Sequence, residues 1–178
     1  ITGFMMKKAL TEELPFRGAI RNIDSFLNEK PSSDTSEFNK ELDSVETAKK
    51  LGLYLFNESL VVFGQDLKNE HQIMEMLADI FTDIYTAEST LIRTQKIMNS
   101  DNPTPTTKDI SRVFISEMID RIMTKTHSIL NTLHDGSLVE NIMTKISKFE
   151  KRMRLSINTV QLKRNIAEYI FDQKKYPY

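Results

Sequence analysis

The sequence predicts an all-α protein, an up-and-down helical bundle with short N-terminal helices. Three observations carry this. Apolar residues recur at helical spacing through long windows. Helix breakers are scarce: the five Pro fall at Pro15, Pro31, Pro103, Pro105 and Pro177, and there are only five Gly. The chain has 178 residues, 39% of them hydrophobic and 28% charged, which suffices for a core without covalent staples.

The composition also excludes several classes. With no Cys there is no disulfide, thiolate zinc site or Cys nucleophile. Neither GxGxxG nor GxxxxGK[ST] occurs, so no Gly-rich phosphate loop is present. No apolar run approaches the roughly eighteen residues of a membrane span. A net charge of −1 argues against wholesale nucleic-acid binding. The chain opens Ile1-Thr2-Gly3, without initiator Met or signal-peptide pattern, so a piece of a longer protein is expected.

Element by element, 2–10 reads as a short helix. A second helix is expected from Leu14 to Leu27, with Phe16, Ile20, Ile23 and Leu27 in phase and Pro15 in its first turn. The polar stretch Pro31-Ser32-Ser33-Asp34-Thr35-Ser36 is the clearest linker. A long helix is expected from Glu37 to Leu67, where Leu42, Val45, Ala48, Leu55, Leu60 and Phe63 keep the period. Gly52 and Gly64 interrupt it, each at about 1 kcal/mol relative to Ala, which suggests a close helix approach or a kink. From Glu70 to Asn99, Ile73, Met76, Leu77, Ile80, Ile84, Ala87 and Leu91 form one stripe, widened by Phe81, Tyr85 and Ile92.

Asp101-Asn102-Pro103-Thr104-Pro105 ends that helix, and Thr107 or Asp109 can cap the next. This one carries Ile110, Val113, Phe114, Ile122, Ile129 and Leu133, and His134-Asp135-Gly136 stops it with Gly136 at the left-handed C′ position. Ser137-Leu138-Val139-Glu140 has the capping-box pattern and opens a helix with Leu138, Ile142, Ile146 and Phe149 facing inward. Asn158-Thr159-Val160-Gln161 opens the last helix, to Lys174. Domain divisions follow: residues 1–30 as boundary helices, 31–37 as linker, 38–178 as the bundle.

Few residues offer chemistry. His127 and His134, two turns apart, lack the further ligands a metal requires, and His71 has none either, so surface histidines are the ordinary reading. Glu88 falls between Leu91 and Ile92 on a helical wheel and reads as a buried carboxylate in a structural ion pair with a basic residue, an Arg by preference, of a neighbouring helix. No second acid, His or nucleophile converges on it. Lys145, Lys148, Lys151, Arg152 and Arg154 form a basic stretch, either a solvated face or a contact for anionic lipid or a partner. Most of the nine Met fall at core spacing and read as filler.

Three segments are similar to the C-terminal part of acyl-CoA dehydrogenases of the long-chain type. Ile1-Thr2-Gly3-Phe4-Met5-Met6-Lys7-Lys8-Ala9-Leu10 with Glu13-Leu14-Pro15 resembles the stretch that follows their EGTNEINR motif. Met76-Leu77-Ala78-Asp79-Ile80, with Tyr85-Thr86-Ala87-Glu88-Ser89 and then Leu91, Arg93 and Lys96, resembles their LADI…YAxES-x-L-R-x-EK helix. Ile157-Asn158, Lys163-Arg164 and Ile170-Phe171 resemble their C-terminus.

The resemblance implies a parent flavoenzyme of fatty-acid β-oxidation that oxidises acyl-CoA to trans-2-enoyl-CoA with FAD. It places the catalytic Glu and the flavin site outside this chain, so no catalytic, cofactor-binding or metal residue carries over. Within the matched motif, Glu88 and Arg93 carry over as structural positions only. The implied partners are the catalytic domain of the same polypeptide and a second copy in a homodimer, in the cytoplasm, with peripheral membrane contact through the basic stretch. The isolated chain is then expected to be inactive. The alternative is a free-standing helical scaffold or membrane-surface adaptor.

Overall fold

The structure, a computed structural model, describes residues 2–10, 16–29, 37–101, 103–104, 106–137 and 140–174. Its helices are α1 (Thr2–Leu10), α2 (Phe16–Arg21), α3 (Ile23–Asn28), α4 (Asn39–Phe63), α5 (His71–Met98), α6 (Thr106–Leu133), α7 (Glu140–Met153) and α8 (Thr159–Gln173). No strand occurs among the described residues.

Three long helices form the centre. Gly52 of α4 faces Phe81 and Ile84 of α5, and Lys49 of α4 meets Glu88 of α5, so the pair runs antiparallel. Glu41 near the start of α4 meets Arg112 near the start of α6, so these two run parallel. An up-down-up order results, as the short connections require. α7 lies antiparallel on α4, with its last turn at Asp43 and Ser44. α8 runs back along α6, pairing Lys163 with Glu117 and placing Asn165 near Asp109. Of the N-terminal helices, α1 packs on α5, α2 on α4 and α3 on α7.

The core joins Val45, Ala48, Leu51, Leu55 and Phe56 of α4 to Leu77, Ile80, Ile84 and Leu91 of α5 and Ile115, Met118, Ile119 and Ile122 of α6. Ile146, Phe149 and Met153 of α7 and Ile23 of α3 extend it. Buried hydroxyls of Thr47, Ser59 and Thr126 donate to carbonyls one turn back, which settles their hydrogen-bonding needs inside the helices.

Several boundaries differ from the periodic pattern. The helix expected from Leu14 to Leu27 is two short ones, broken at Asn22. The one expected to reach Leu67 stops at Phe63, because Gly64 adopts φ +56° and the chain tightens into a 3-10 turn, Gly64–Asn69. Gly52 instead marks a close approach: a Cβ there would lie 3.0 Å from Phe81 Cε1. Leu42, Tyr85 and Ile92, placed by phase in the apolar stripes, are 43%, 71% and 47% exposed, since no helix covers that edge of the α4–α5 pair.

Termini follow local chemistry. Thr107 lies inside α6 with its hydroxyl unpartnered, so it is not the cap. α6 ends with both Asp135 (φ 48°) and Gly136 (φ 74°) left-handed, and the Gly136 amide donates to the Asn131 carbonyl at 2.9 Å. That is a Schellman closure, with Asp135 at C′ and Gly136 one residue further on. Asn158 caps α8 as its pattern predicts, accepting from the Gln161 amide at 3.1 Å. The linker over 30–36 and the capping pattern's Leu138 and Val139 lie outside the described residues.

The close approach at Gly52 gives a test. Gly52→Leu is expected to lose about 2 kcal/mol in urea unfolding through overpacking against Phe81. Gly52→Ala is expected to stay within about 1 kcal/mol of the parent, because its better helix propensity offsets the tighter contact.

Candidate functional site

The most heavily constructed polar site is the joint between α3 and the bundle. It is built on Arg152, in the last turn of α7 between the core residues Phe149 and Met153. That spacing turns its stem along the core edge toward α4 and α3. The guanidinium forks onto Asp43 of α4, with Nη2 to Oδ1 at 2.7 Å and Nε to Oδ2 at 3.1 Å. Its Nη1 donates to the carbonyl oxygen of Phe26 and, at 3.0 Å, to that of Glu29. These carbonyls belong to the C-terminal end of α3, where intrahelical partners run out and a cation is favoured.

The guanidinium also lies over the Phe26 ring, 3.8 Å from its centroid, and Lys50 approaches the same ring at 4.6 Å. The Arg152 side chain is 10% exposed. Beside it, the Ser44 hydroxyl donates to the Met153 carbonyl at 2.7 Å, which settles the last carbonyl of α7. Lys145 pairs with Asp24 at 2.9 Å and sits over the Tyr54 ring, while Lys148 donates to Asn28 Oδ1 at 3.0 Å.

The basic stretch is thus divided. Arg152, Lys145 and Lys148 grip α3, and Arg152, expected as an outward contact for lipid or partner, is committed to the interior of the joint. Arg154 pairs with Glu150 at 2.9 Å and with Asp120 at 3.3 Å, and Lys151 is exposed. Sequence patterning missed the acceptors because Asp43 and the α3 carbonyls lie more than a hundred residues away.

Glu88 also departs from expectation. It is not buried: its side chain is 41% exposed and pairs with Lys49 at 2.5 Å, a Lys of α4 rather than an Arg. The buried carboxylate is Glu41, whose side chain is 4% exposed and accepts from Arg112 Nε at 2.6 Å. A signal existed, since Glu41, Val45, Ala48, Gly52, Leu55 and Ser59 share one buried stripe of α4. Lys108 pairs with Glu37 next to it, so the starts of α4 and α6 are tied by two ion pairs.

Nothing brings the histidines together with other ligands. Among the described residues no group of three His, Asp or Glu side chains is placed to hold a metal. His71 opens α5, and His134 at the end of α6 keeps Nε2 buried without a partner.

Two clefts flank α5. One, of about 290 Å³, lies toward α6 and the other, of about 240 Å³, toward α4. Each falls short of the roughly 300 Å³ at which pockets for drug-sized ligands begin, so neither accommodates a flavin dinucleotide. Tyr54, buried beside Phe149 of α7, has its phenol pushed above the ordinary value by burial first, then by the Glu58 and Asp24 carboxylates.

A helical bundle whose polar sites are spent on joining elements defines a structural domain. Residues 47–148, more than half of the chain, match the family model described as the acyl-CoA dehydrogenase C-terminal domain, and the chain belongs to that family. It is 26% identical, over 96% of its length, to a probable acyl-CoA dehydrogenase of Bacillus subtilis, of which it covers 29%. Its fold superposes on the crystal structure of an acyl-CoA dehydrogenase complexed with FAD from Bacillus anthracis with a TM-score of 0.83 at 23% identity. That alignment covers 98% of this chain and 30% of the other, so the chain spans less than a third of each relative.

Two predictions follow from the joint. Arg152→Ala is expected to cost about 3 kcal/mol, since it leaves Asp43 and the α3 carbonyls without their donor, and to remove amide-exchange protection over residues 23–29. Arg152→Lys is expected to restore little, because an ammonium cannot fork. The second concerns pH. A phenol whose folded-state value is raised contributes stability that is complete below about pH 10 and is lost as pH rises through the folded value. Unfolding free energy of the parent is therefore expected to fall above about pH 10 more steeply than that of Tyr54→Phe.

Proposed function

We propose that this chain is the architectural C-terminal domain of an FAD-dependent acyl-CoA dehydrogenase, an enzyme that oxidises acyl-CoA to trans-2-enoyl-CoA. The observation that carries the reading is the family match, on a chain that spans under a third of its relatives. The base and the flavin site then belong to the remaining part of the polypeptide, and the role of this domain is packing. Residues 1–30 are the boundary helices after the catalytic domain, and the Arg152 joint fixes α3 against the bundle. The exposed Leu42, Tyr85 and Ile92 on the α4–α5 edge suit a face that packs on the catalytic domain or across a homodimer.

The internal commitment of Lys145, Lys148 and Arg152 weighs against a membrane-surface adaptor, which would need those charges outward. Flavin fluorescence is expected to stay unquenched when FAD is titrated against the 178-residue chain, with no oxidation of acyl-CoA. Saturable quenching at micromolar protein would overturn the reading.

A further inference from the structure

We propose that the cleft between α5 and α6 binds a small organic carboxylate with an apolar body. This reading stands apart from the fate of the dehydrogenase assignment. Thr90, Arg93, Thr94 and Ile97 line the cleft from α5, at successive helical turns, and Thr107, Ile110 and Phe114 line it from α6. Its volume of about 290 Å³ equals that of roughly ten waters in the liquid, which suits one ring or a short chain with a polar head.

The lining selects the head. Thr107 is 2% exposed and its hydroxyl has no partner, so a buried donor and acceptor stands unsatisfied at this cleft. It lies in the first turn of a 28-residue helix, where the backbone dipole favours negative charge. Arg93 adds a cation at the rim, and a guanidinium with five N–H donors serves more than one acceptor. Asp109, the acidic residue of that turn, is directed to α8, with Oδ2 at 3.5 Å from Asn165 Nδ2. The head is therefore an anionic acceptor.

Ile97, Ile110 and Phe114 select an apolar body, which a bare phosphate or sulfate would leave without a contact. The α4–α5 cleft offers no such pairing, because its Lys49 is already neutralised by Glu88 at 2.5 Å.

The test uses the 178-residue chain and methyl chemical shifts. Benzoate is expected to shift Thr94, Ile97 and Ile110 saturably with a dissociation constant around 1 mM, and neutral benzamide more weakly. Thr107→Val is expected to weaken benzoate about tenfold while Thr107→Ser retains it, and Arg93→Gln to weaken benzoate but not benzamide. No saturable shift would mean that water serves the Thr107 hydroxyl, and would overturn the proposal. So would binding unchanged by Thr107→Val, equal binding of benzamide, or the same shifts from inorganic phosphate.

Discussion

Helix α4 is enclosed by neighbours on several sides, and this constrains the rest of the structure. It packs on α2, α5, α6 and α7. A helix with solvent on one side needs a single apolar stripe, but α4 buries residues at successive positions around its axis: Ala48, Leu51, Gly52, Tyr54, Leu55 and Phe56. Its buried polar side chains must then find partners within the protein. Glu41 finds Arg112, Ser44 the Met153 carbonyl, and Thr47 and Ser59 their own helix. Each partner fixes a register: Arg112 sets α6 against α4, and Met153 sets the end of α7.

The same enclosure accounts for Gly52. At the centre of α4 the space toward α5 is filled by the Phe81 ring and the Ile84 methyl. A side chain there would push α5 outward along its length, so the helix tolerates a residue of poor intrinsic propensity in exchange for core contact. Gly64 serves a different need. At φ +56° it turns the chain out of α4 and into the short turn before α5.

How far these features could be read from sequence depends on the range of the interaction. The long helices, their order and the Asn158 cap follow from spacing within a few residues, and the structure has them. The edges of the apolar stripes do not. Whether Tyr85 and Ile92 are covered depends on where the neighbouring helices stop, which the periodicity of α5 does not encode. The ionic residues follow the same division. Glu88 looks inward on a wheel, yet Lys49 draws it to the surface, while Glu41 sits among apolar residues because Arg112 from another helix meets it there. Of the basic stretch, charge alone was legible. Its commitment to α3 required the fold.

The α3 joint has a consequence for cooperativity. Six residues are too few to sustain a helix in water, where a nucleus costs more than one turn returns. α3 owes its order to a guanidinium supplied by α7, so it exists as a helix only while the far end of the sequence is in place. The segment is then not an independent folding unit. It orders last and is released first, and its helicity reports whether the whole bundle has closed.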